Sequence, residues 1–120
     1  MSCQLSQNAE RLAHAAALSR YLTRMLDSRP WLRDQLAASL DAPLGGDDMT
    51  RFIEARNPSE DSLPAILRQL RVWVICHVMV RDLAGEASLG EVTESMTVLA
   101  EIAIRHAHDI SREALVQRYG

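Results

Sequence analysis

Few side chains in this 120-residue chain have the types and spacing that chemistry needs, and the clearest group lies near its end. His106, His108 and Asp109 suggest a metal site, since imidazole and carboxylate groups are common metal ligands. Residues two apart on a helix, however, point about 200° away from each other, so the two imidazoles cannot share one ion as a pair four residues apart can. We therefore interpret these side chains as helix surface.

A second pair, Cys76 and His77, lies in the most apolar part of the chain, while His14 stands alone. Adjacent helical residues diverge, and no other metal-ligand residue types cluster with this pair. We expect His77 to be buried with one hydrogen bond and Cys76 to behave as a small apolar side chain. Cys3 belongs to an N-terminal tail that we expect to be floppy. We therefore predict no disulfide and, with no secretion signal visible, a reduced cytoplasmic protein.

The acidic pair Asp47 and Asp48 follows two glycines. It could be imagined as a magnesium site, but a cap on the next helix explains it better, since carboxylates favour the positive end of a helix. Arg81 and Asp82 stand where the apolar run ends. For them we expect a structural salt bridge or a carboxylate that holds a helix end, with contact to a neighbouring domain as the alternative.

The composition removes several classes of activity. All thirteen basic residues are Arg, which excludes a phosphate loop with a Walker lysine and a Schiff-base lysine. A net charge of −3 gives no electrostatic support for nucleic-acid binding. No glycine-rich phosphate loop and no Ser-His-Asp or Cys-His-Asp pattern occurs. The sequence therefore predicts no catalytic, cofactor-binding or metal-binding residue of its own.

The elements are organised around an apolar run from Val72 to Val80, which carries no charge and one polar side chain. Such a run must be enclosed on every side, and it is too short to cross a bilayer, which needs about 20 apolar residues. A buried strand would also fit these residues, but the chain offers no partner strand. We therefore predict a central buried helix near residues 62–85, opened by Ser59 with Glu60, Asp61 and Ser62, with Pro64 in its first turn, and closed at Gly85.

The remaining segments also have helical spacing. Residues 8–26 predict an amphipathic helix, with a second possibility in which Ser19 caps a new helix from Arg20. Pro30 opens the next helix, and a short helix after the Asp41–Gly46 loop stops at Asn57-Pro58. Ser88 and Glu91 match a capping box that opens a long final helix, with an exposed apolar stripe formed by Ile102, Ile110 and Leu115.

These segments together predict one all-α domain over residues 1–120. We expect a bundle of about five to six helices around the buried helix near 62–85, with the long C-terminal helix near 88–118. Few aromatic residues (4%) and many Ala and Leu residues favour helices over strands.

Two motif strings resemble a known bacterial family. Residues 67–71 read Leu-Arg-Gln-Leu-Arg and residues 81–85 read Arg-Asp-Leu-Ala-Gly. They are similar to the "LRRxR" and "RDLxG" segments of the glutamine synthetase adenylyltransferase and adenylyl-removing enzymes (glutamate-ammonia-ligase adenylyltransferases). Residues 87–101 resemble the "xADLxEVTxxxSxLAE" segment that follows there. The resemblance extends from about Ala16 to Gly120, although the region around Gly45-Gly46 and the Val-rich run depart from the family pattern.

The resemblance implies a role in nitrogen regulation. Enzymes of this family attach AMP to a tyrosine of glutamine synthetase and remove it, using ATP and Mg²⁺, and they respond to the PII signal protein. Their helical region precedes a nucleotidyltransferase domain with Gly-Ser and Asp-x-Asp motifs, and neither motif occurs here. The resemblance thus implies the N-terminal helical region of the removing half, without cofactor or activity of its own, with the catalytic domain expected after residue 120. The alternative is a free-standing helical module for protein interaction or dimerisation.

Overall fold

The computed structural model describes the backbone of residues 2–119 and the side chains of residues 6–119. This range contains six α-helices and no strand, which confirms the predicted all-α bundle. The helices are α1 (Ser2–Leu18), α2 (Arg20–Ser28), α3 (Pro30–Ser39), α4 (Gly46–Glu54), α5 (Leu63–Leu83) and α6 (Leu89–Tyr119).

The first three helices are separated by local sequence signals. Ser19 is extended, and its Oγ accepts a hydrogen bond from the Leu22 amide at 3.2 Å, so the alternative with a second helix from Arg20 is confirmed. Pro30 begins α3 as predicted, after an extended Arg29. The prediction of a floppy tail is wrong for the backbone, because α1 already begins at Ser2. The Cys3 side chain, and with it the prediction about a disulfide, lies outside the described residues.

α5 is the central helix, because it contacts each of the other five. The prediction that it is enclosed on every side is too strong: Ile75 and Met79 are part-exposed, since no helix packs over that side completely. By length and composition alone α5 could also cross a membrane, but its packing is that of the core helix of a bundle. Its buried residues are Leu63, Ile66, Leu70, Val72, Trp73, Val74, Cys76, His77, Val78, Val80 and Arg81.

The core around α5 is mostly aliphatic, with one aromatic group at the side of α4. Phe52 stacks on Trp73 with ring centroids 5.0 Å apart, and the Trp31 ring lies tilted to Phe52 with its centroid 5.9 Å away. Leucines of the first three helices complete the core, and each fully buried one stabilises the fold by roughly 1.5–3 kcal/mol. The fully buried leucines of these helices are Leu12, Leu22, Leu32 and Leu36.

A tight turn joins α5 to α6. Gly85 has φ +74, the left-handed region that favours glycine, as predicted for a C-terminal cap. The Glu86 amide donates to the Arg81 carbonyl at 2.8 Å and the Gly85 amide donates to the Asp82 carbonyl at 2.9 Å. This pair of bonds is a Schellman motif, which satisfies the last carbonyls of α5 and turns the chain back towards the bundle.

α6 is the longest of the six helices, with 31 residues, and the principal extents of the structure are 52 × 29 × 29 Å. Its buried residues are Ser95, Leu99 and Ile102, all before the middle of the helix or near it. The predicted exposed stripe is therefore wrong in part: Ile102 is buried, Ile110 is half-buried, and Leu115 is 54% exposed. Thirteen residues correspond to a rotation of about 220° at 3.6 residues per turn, so Ile102 and Leu115 cannot share one face.

Candidate functional site

The most connected polar group of the described residues is the guanidinium of Arg81. Its Nε and Nη2 donate to the two carboxylate oxygens of Glu91, at 2.8 and 3.0 Å. Its Nη1 donates to the Leu40 carbonyl at 3.0 Å and lies 3.5 Å from Glu86. Only 9% of the Arg81 side chain and 12% of the Glu91 side chain are exposed. A bidentate pair with so little exposure holds its two helices in one register.

The positions of these groups follow from the helix ends that carry them. Arg81 stands in the last turn of α5, Glu91 in the first turn of α6, and the turn at Gly85 brings the two turns together. Leu40 follows the end of α3, where carbonyl groups lack helical partners and attract a cation. The hydrogen bonds from Arg81 hold the pKa of Glu91 below its usual value, and the same bonds raise the pKa of Arg81.

This geometry corrects two details of the sequence predictions. Arg81 does form a structural salt bridge, but with Glu91 and not with its neighbour Asp82, whose side chain is exposed. The capping box at Ser88 is only half formed. The Ser88 hydroxyl accepts from the Glu91 amide at 3.1 Å, whereas the Glu91 carboxylate turns to Arg81 and not back to the helix end.

A second layer of polar groups ties α1 to the same corner, and sequence reasoning missed it. Arg11 forms an ion pair with Glu86 and donates to Oδ1 of the Asn8 side chain at 2.9 Å. Asn8 in turn donates to the carbonyl of Ala37 at 2.7 Å and to the Asp41 carboxylate at 3.2 Å. The only local signal is a polar pair three residues apart on an Ala-rich helix. The cluster joins α1, the end of α3 and the α5–α6 turn.

His77 lies one turn below Arg81 and is fully buried. It makes the single hydrogen bond that we predicted: its Nε2 is 2.7 Å from the Ser39 carbonyl, which can only accept, so Nε2 carries the proton. Nδ1 is buried without a hydrogen-bond partner. Burial lowers the pKa of His77, so the imidazole is neutral near pH 7. The Trp73 indole donates to the Ser39 hydroxyl at 3.2 Å, which secures the same end of α3.

Cys76 does not behave as a reactive thiol. It is free, fully buried, and surrounded by the apolar core. Burial raises its pKa to about 11, so the thiolate that acts as nucleophile or metal ligand is not formed near pH 7. This agrees with the prediction of a small apolar side chain.

The histidines of α6 do not converge on a common point. The His106 ring bonds the Ile102 carbonyl at 3.1 Å, whereas His108 is exposed and lies 3.7 Å from Asp109. Across residues 6–119 no group of three or more His, Cys, Asp or Glu side chains is placed to hold a metal ion. His14 is exposed on α1.

The acidic pair Asp47 and Asp48 lies in the first turn of α4, and its structural role differs from the one expected. The residue that caps α4 is Gly45, so the helix begins before both carboxylates. Asp48, the third helical residue, accepts from the Gly45 amide at 3.0 Å and pairs with Arg51 at 2.7 Å. Asp47 is exposed in the first turn, where its charge favours the positive helix end.

A surface groove of about 460 Å³ lies between the loop after α3 and α4. Its most distinctive group is the Arg56 guanidinium, 3.5 Å from the centroid of the Phe52 ring. Arg56 already donates to the Phe52 carbonyl at 2.9 Å and to Gln69 at 3.2 Å, and burial lowers its pKa. Among the residues that line the groove, no nucleophile is paired with a base. The groove therefore lacks the arrangement that nucleophilic catalysis needs.

The fold and its polar groups define a class of protein, namely an all-α bundle whose helices are joined by buried polar contacts. Asn8, His77 and Arg81 are buried polar side chains, and each bonds a helix end or a facing helix, as structural polar groups do.

Comparison with known proteins places this helical bundle in a family. A family model described as "Glutamate-ammonia ligase adenylyltransferase" matches residues 9–120. The chain belongs to this family, as its motifs suggested.

The relatives that it resembles are far longer. It is 54% identical over 120 residues to the "Bifunctional glutamine synthetase adenylyltransferase/adenylyl-removing enzyme" of Aromatoleum aromaticum, a match that covers 100% of this chain and 13% of that protein. The proteins of the same description from Nitrosomonas eutropha and Burkholderia mallei are 38% and 39% identical, over 82% and 85% of this chain and 11% and 12% of their own lengths. No solved structure matches the chain significantly.

Proposed function

We propose that this chain is the N-terminal helical scaffold region of a bifunctional, cytoplasmic enzyme that attaches adenylyl groups to glutamine synthetase and removes them in nitrogen regulation. The observation that carries the proposal is the family match over residues 9–120. The relatives with this description are proteins of which the chain spans about an eighth, 13% in the case of the Aromatoleum aromaticum protein. The reaction is carried by other parts of such a polypeptide.

ATP and Mg²⁺ are the groups that the family implies, and the side chains described here do not fit them. The carboxylates that stand near other polar groups already have partners, as Asp48 has in Arg51 and Glu91 has in Arg81. The two basic side chains of the buried corner, Arg11 and Arg81, are paired with carboxylates. We therefore assign the nucleotide and the metal to the nucleotidyltransferase domain of the whole enzyme.

Glutamine synthetase and the PII signal protein are the partners of the whole enzyme in this proposal. The printed name of the relatives supports the first of them. PII follows from the family resemblance alone. The contribution of the six helices is to fold as a rigid base and to hold neighbouring parts of the enzyme in place.

An activity assay tests the proposal. The 120-residue chain is incubated with adenylylated glutamine synthetase, and released AMP is measured; transfer of label from ATP to the unmodified protein is measured in parallel. We expect neither reaction from this chain and both from a polypeptide of the relatives' length that contains it. Release of AMP by the 120-residue chain alone would contradict the proposal, and so would inactivity of the longer polypeptide.

A free-standing interaction or dimerisation module is the second candidate. It is favoured by exposed apolar side chains from the middle of α6 to its end. Ile104 is 70% exposed, and Leu115, Val116 and Tyr119 are exposed by more than half. Sedimentation of the 120-residue chain distinguishes the two candidates. The scaffold proposal expects a monomer at all concentrations, whereas a dimer that Ile104→Glu and Leu115→Glu abolish would support the module.

A further inference from the structure

A groove of about 400 Å³ lies between α5 and the first half of α6, away from the polar corner. Its floor is apolar and is formed by Leu67 of α5 together with Met96, Leu99 and Ala100 of α6. Met96 is 38% exposed, and Leu67 is only partly covered. A groove of this kind between two helices is the shape that receives the apolar face of a third helix.

The α6 side of the groove continues as an uncharged seam. Its members are spaced alternately by four and three residues, as in the core positions of a coiled coil. All but two of them are alanines, so a second helix could approach to about 8 Å between axes, the close end of the usual range. The seam consists of Met96, Ala100, Ala103, Ala107, Ile110 and Ala114.

The α5 side of the groove carries two arginines whose charges have no ionic partner within the described part of the chain. Arg68 and Arg71 line the groove, are exposed, and stand three residues apart on one face. No ion pair or hydrogen bond joins either side chain to another residue of the range 6–119. Two unpaired guanidinium groups beside an apolar floor favour an occupant with carboxylates along one flank.

We propose that this groove binds an amphipathic helix with a small apolar face and an acidic flank, supplied by another part of the longer polypeptide. The inference rests on the proposed function. We assign the helix to another part of the longer polypeptide because the chain spans only 13% of the Aromatoleum aromaticum relative. A helix within the same polypeptide has an effective concentration in the millimolar range, so a modest groove is sufficient to hold it.

The chemistry of the groove is tested with two synthetic peptides and the 120-residue chain. Both peptides have about 20 residues, enough for an Ala-rich helix to form, and share a Leu and Ala face. One carries Glu along one flank and the other carries Lys at the same positions. Fluorescence anisotropy gives the Kd of each peptide for the wild-type chain, for Arg68→Glu/Arg71→Glu, and for the matched control Arg105→Glu/Arg112→Glu on the opposite side of α6.

The expected result is that the double substitution reverses the preference between the two peptides. The wild-type chain and the control bind the Glu peptide more tightly, and Arg68→Glu/Arg71→Glu weakens that binding roughly tenfold while strengthening binding of the Lys peptide. This reversal cannot come from unfolding, since an unfolded variant would bind neither peptide. The inference would be overturned if the wild-type chain bound neither peptide. It would also be overturned if Arg68→Glu/Arg71→Glu still preferred the Glu peptide.

The source of the helix is tested on the longer polypeptide by hydrogen exchange. Residues 67–71 and 96–107 should exchange more slowly there than in the 120-residue chain, and Arg68→Glu/Arg71→Glu should remove the difference. Equal exchange in both proteins would overturn the assignment of the source. Protection of these residues in the 120-residue chain by its own self-association would overturn it as well. Neither experiment measures adenylyl transfer, so a failure here leaves the proposed function standing, and a failed activity assay leaves these results interpretable.

Discussion

At the scale of single residues, the stability of the bundle depends on a few polar side chains at one corner. Arg81 connects three helices: it pairs with Glu91 of α6, belongs to α5 and bonds the carbonyl that follows α3. Sequence reasoning identified Arg81 as a structural cation, because it stands where an apolar run ends. It could not name the partner, since Glu91 is ten residues away and a capping role explained it equally well.

Arg81→Met should lower the free energy of unfolding by about 3 kcal/mol, because it leaves Glu91 and the Leu40 carbonyl without their partner in a nearly buried site. Urea unfolding followed by circular dichroism measures the change. Arg71→Met is the matched control on the exposed side of α5 and should change stability by about 0.5 kcal/mol or less. A loss for Arg81→Met no larger than that of the control would show that the corner is not a determinant of stability.

His77 should make the stability of the chain depend on pH. Its pKa is lowered by burial in the folded state, so below about pH 6.5 the unfolded chain binds more protons than the folded one. Stability is therefore full above that pH and falls as the pH decreases towards the folded-state pKa, by at most about 1.4 kcal/mol per pH unit.

His77→Gln removes this titration while its amide can still donate to the Ser39 carbonyl. Urea unfolding at a series of pH values between 7 and about 5 should give a flatter profile for this variant than for the wild type, because no imidazole remains to be protonated in the unfolded chain. The exposed His14→Gln should keep the wild-type slope. A slope that survives in His77→Gln would show that another group is responsible.

At the scale of helices, the boundaries that local chemistry determines were predicted and the others were not. Ser19, Pro30 and Gly85 each act through their own backbone or side chain, so the sequence locates them. The start of α4 was missed because Gly45 caps the helix and the Asp48 carboxylate bonds back to it, an arrangement that sequence alone does not separate from a cap by Asp47 or Asp48. The start of α1 was missed because no capping residue marks it.

Gly85→Ala should destabilise the chain by about 1–2 kcal/mol, since a Cβ is strained at φ +74 even though the space around it is open. Gly90→Ala is the matched control inside α6, where the new Cβ would meet only the Ser88 hydroxyl at 3.7 Å. That substitution should be stabilising, by up to about 1 kcal/mol, because Ala is the better helix former. Thermal unfolding of both variants measures the difference, and equal effects would argue against the strained turn.

At the scale of the whole molecule, the sequence predicted the fold class and the central helix because an uncharged run has few places to lie. It did not predict the groove between α5 and α6 or the second polar layer, since both arise from residues far apart in the chain. The sequence assigned no reacting group to these 120 residues. In the structure, buried polar groups such as Arg81 and His77 join helices.

The turnover number of the longer polypeptide tests the scaffold role most directly. The variant carries three substitutions at the side chains here that most invite a chemical role: Asp47→Asn, His106→Gln and His108→Gln. If the helices are a scaffold, kcat for adenylyl removal and for adenylyl transfer should both equal the unsubstituted values, with an unchanged melting temperature. A marked fall in kcat at unchanged thermal stability would place a reacting group in these helices and contradict the scaffold role.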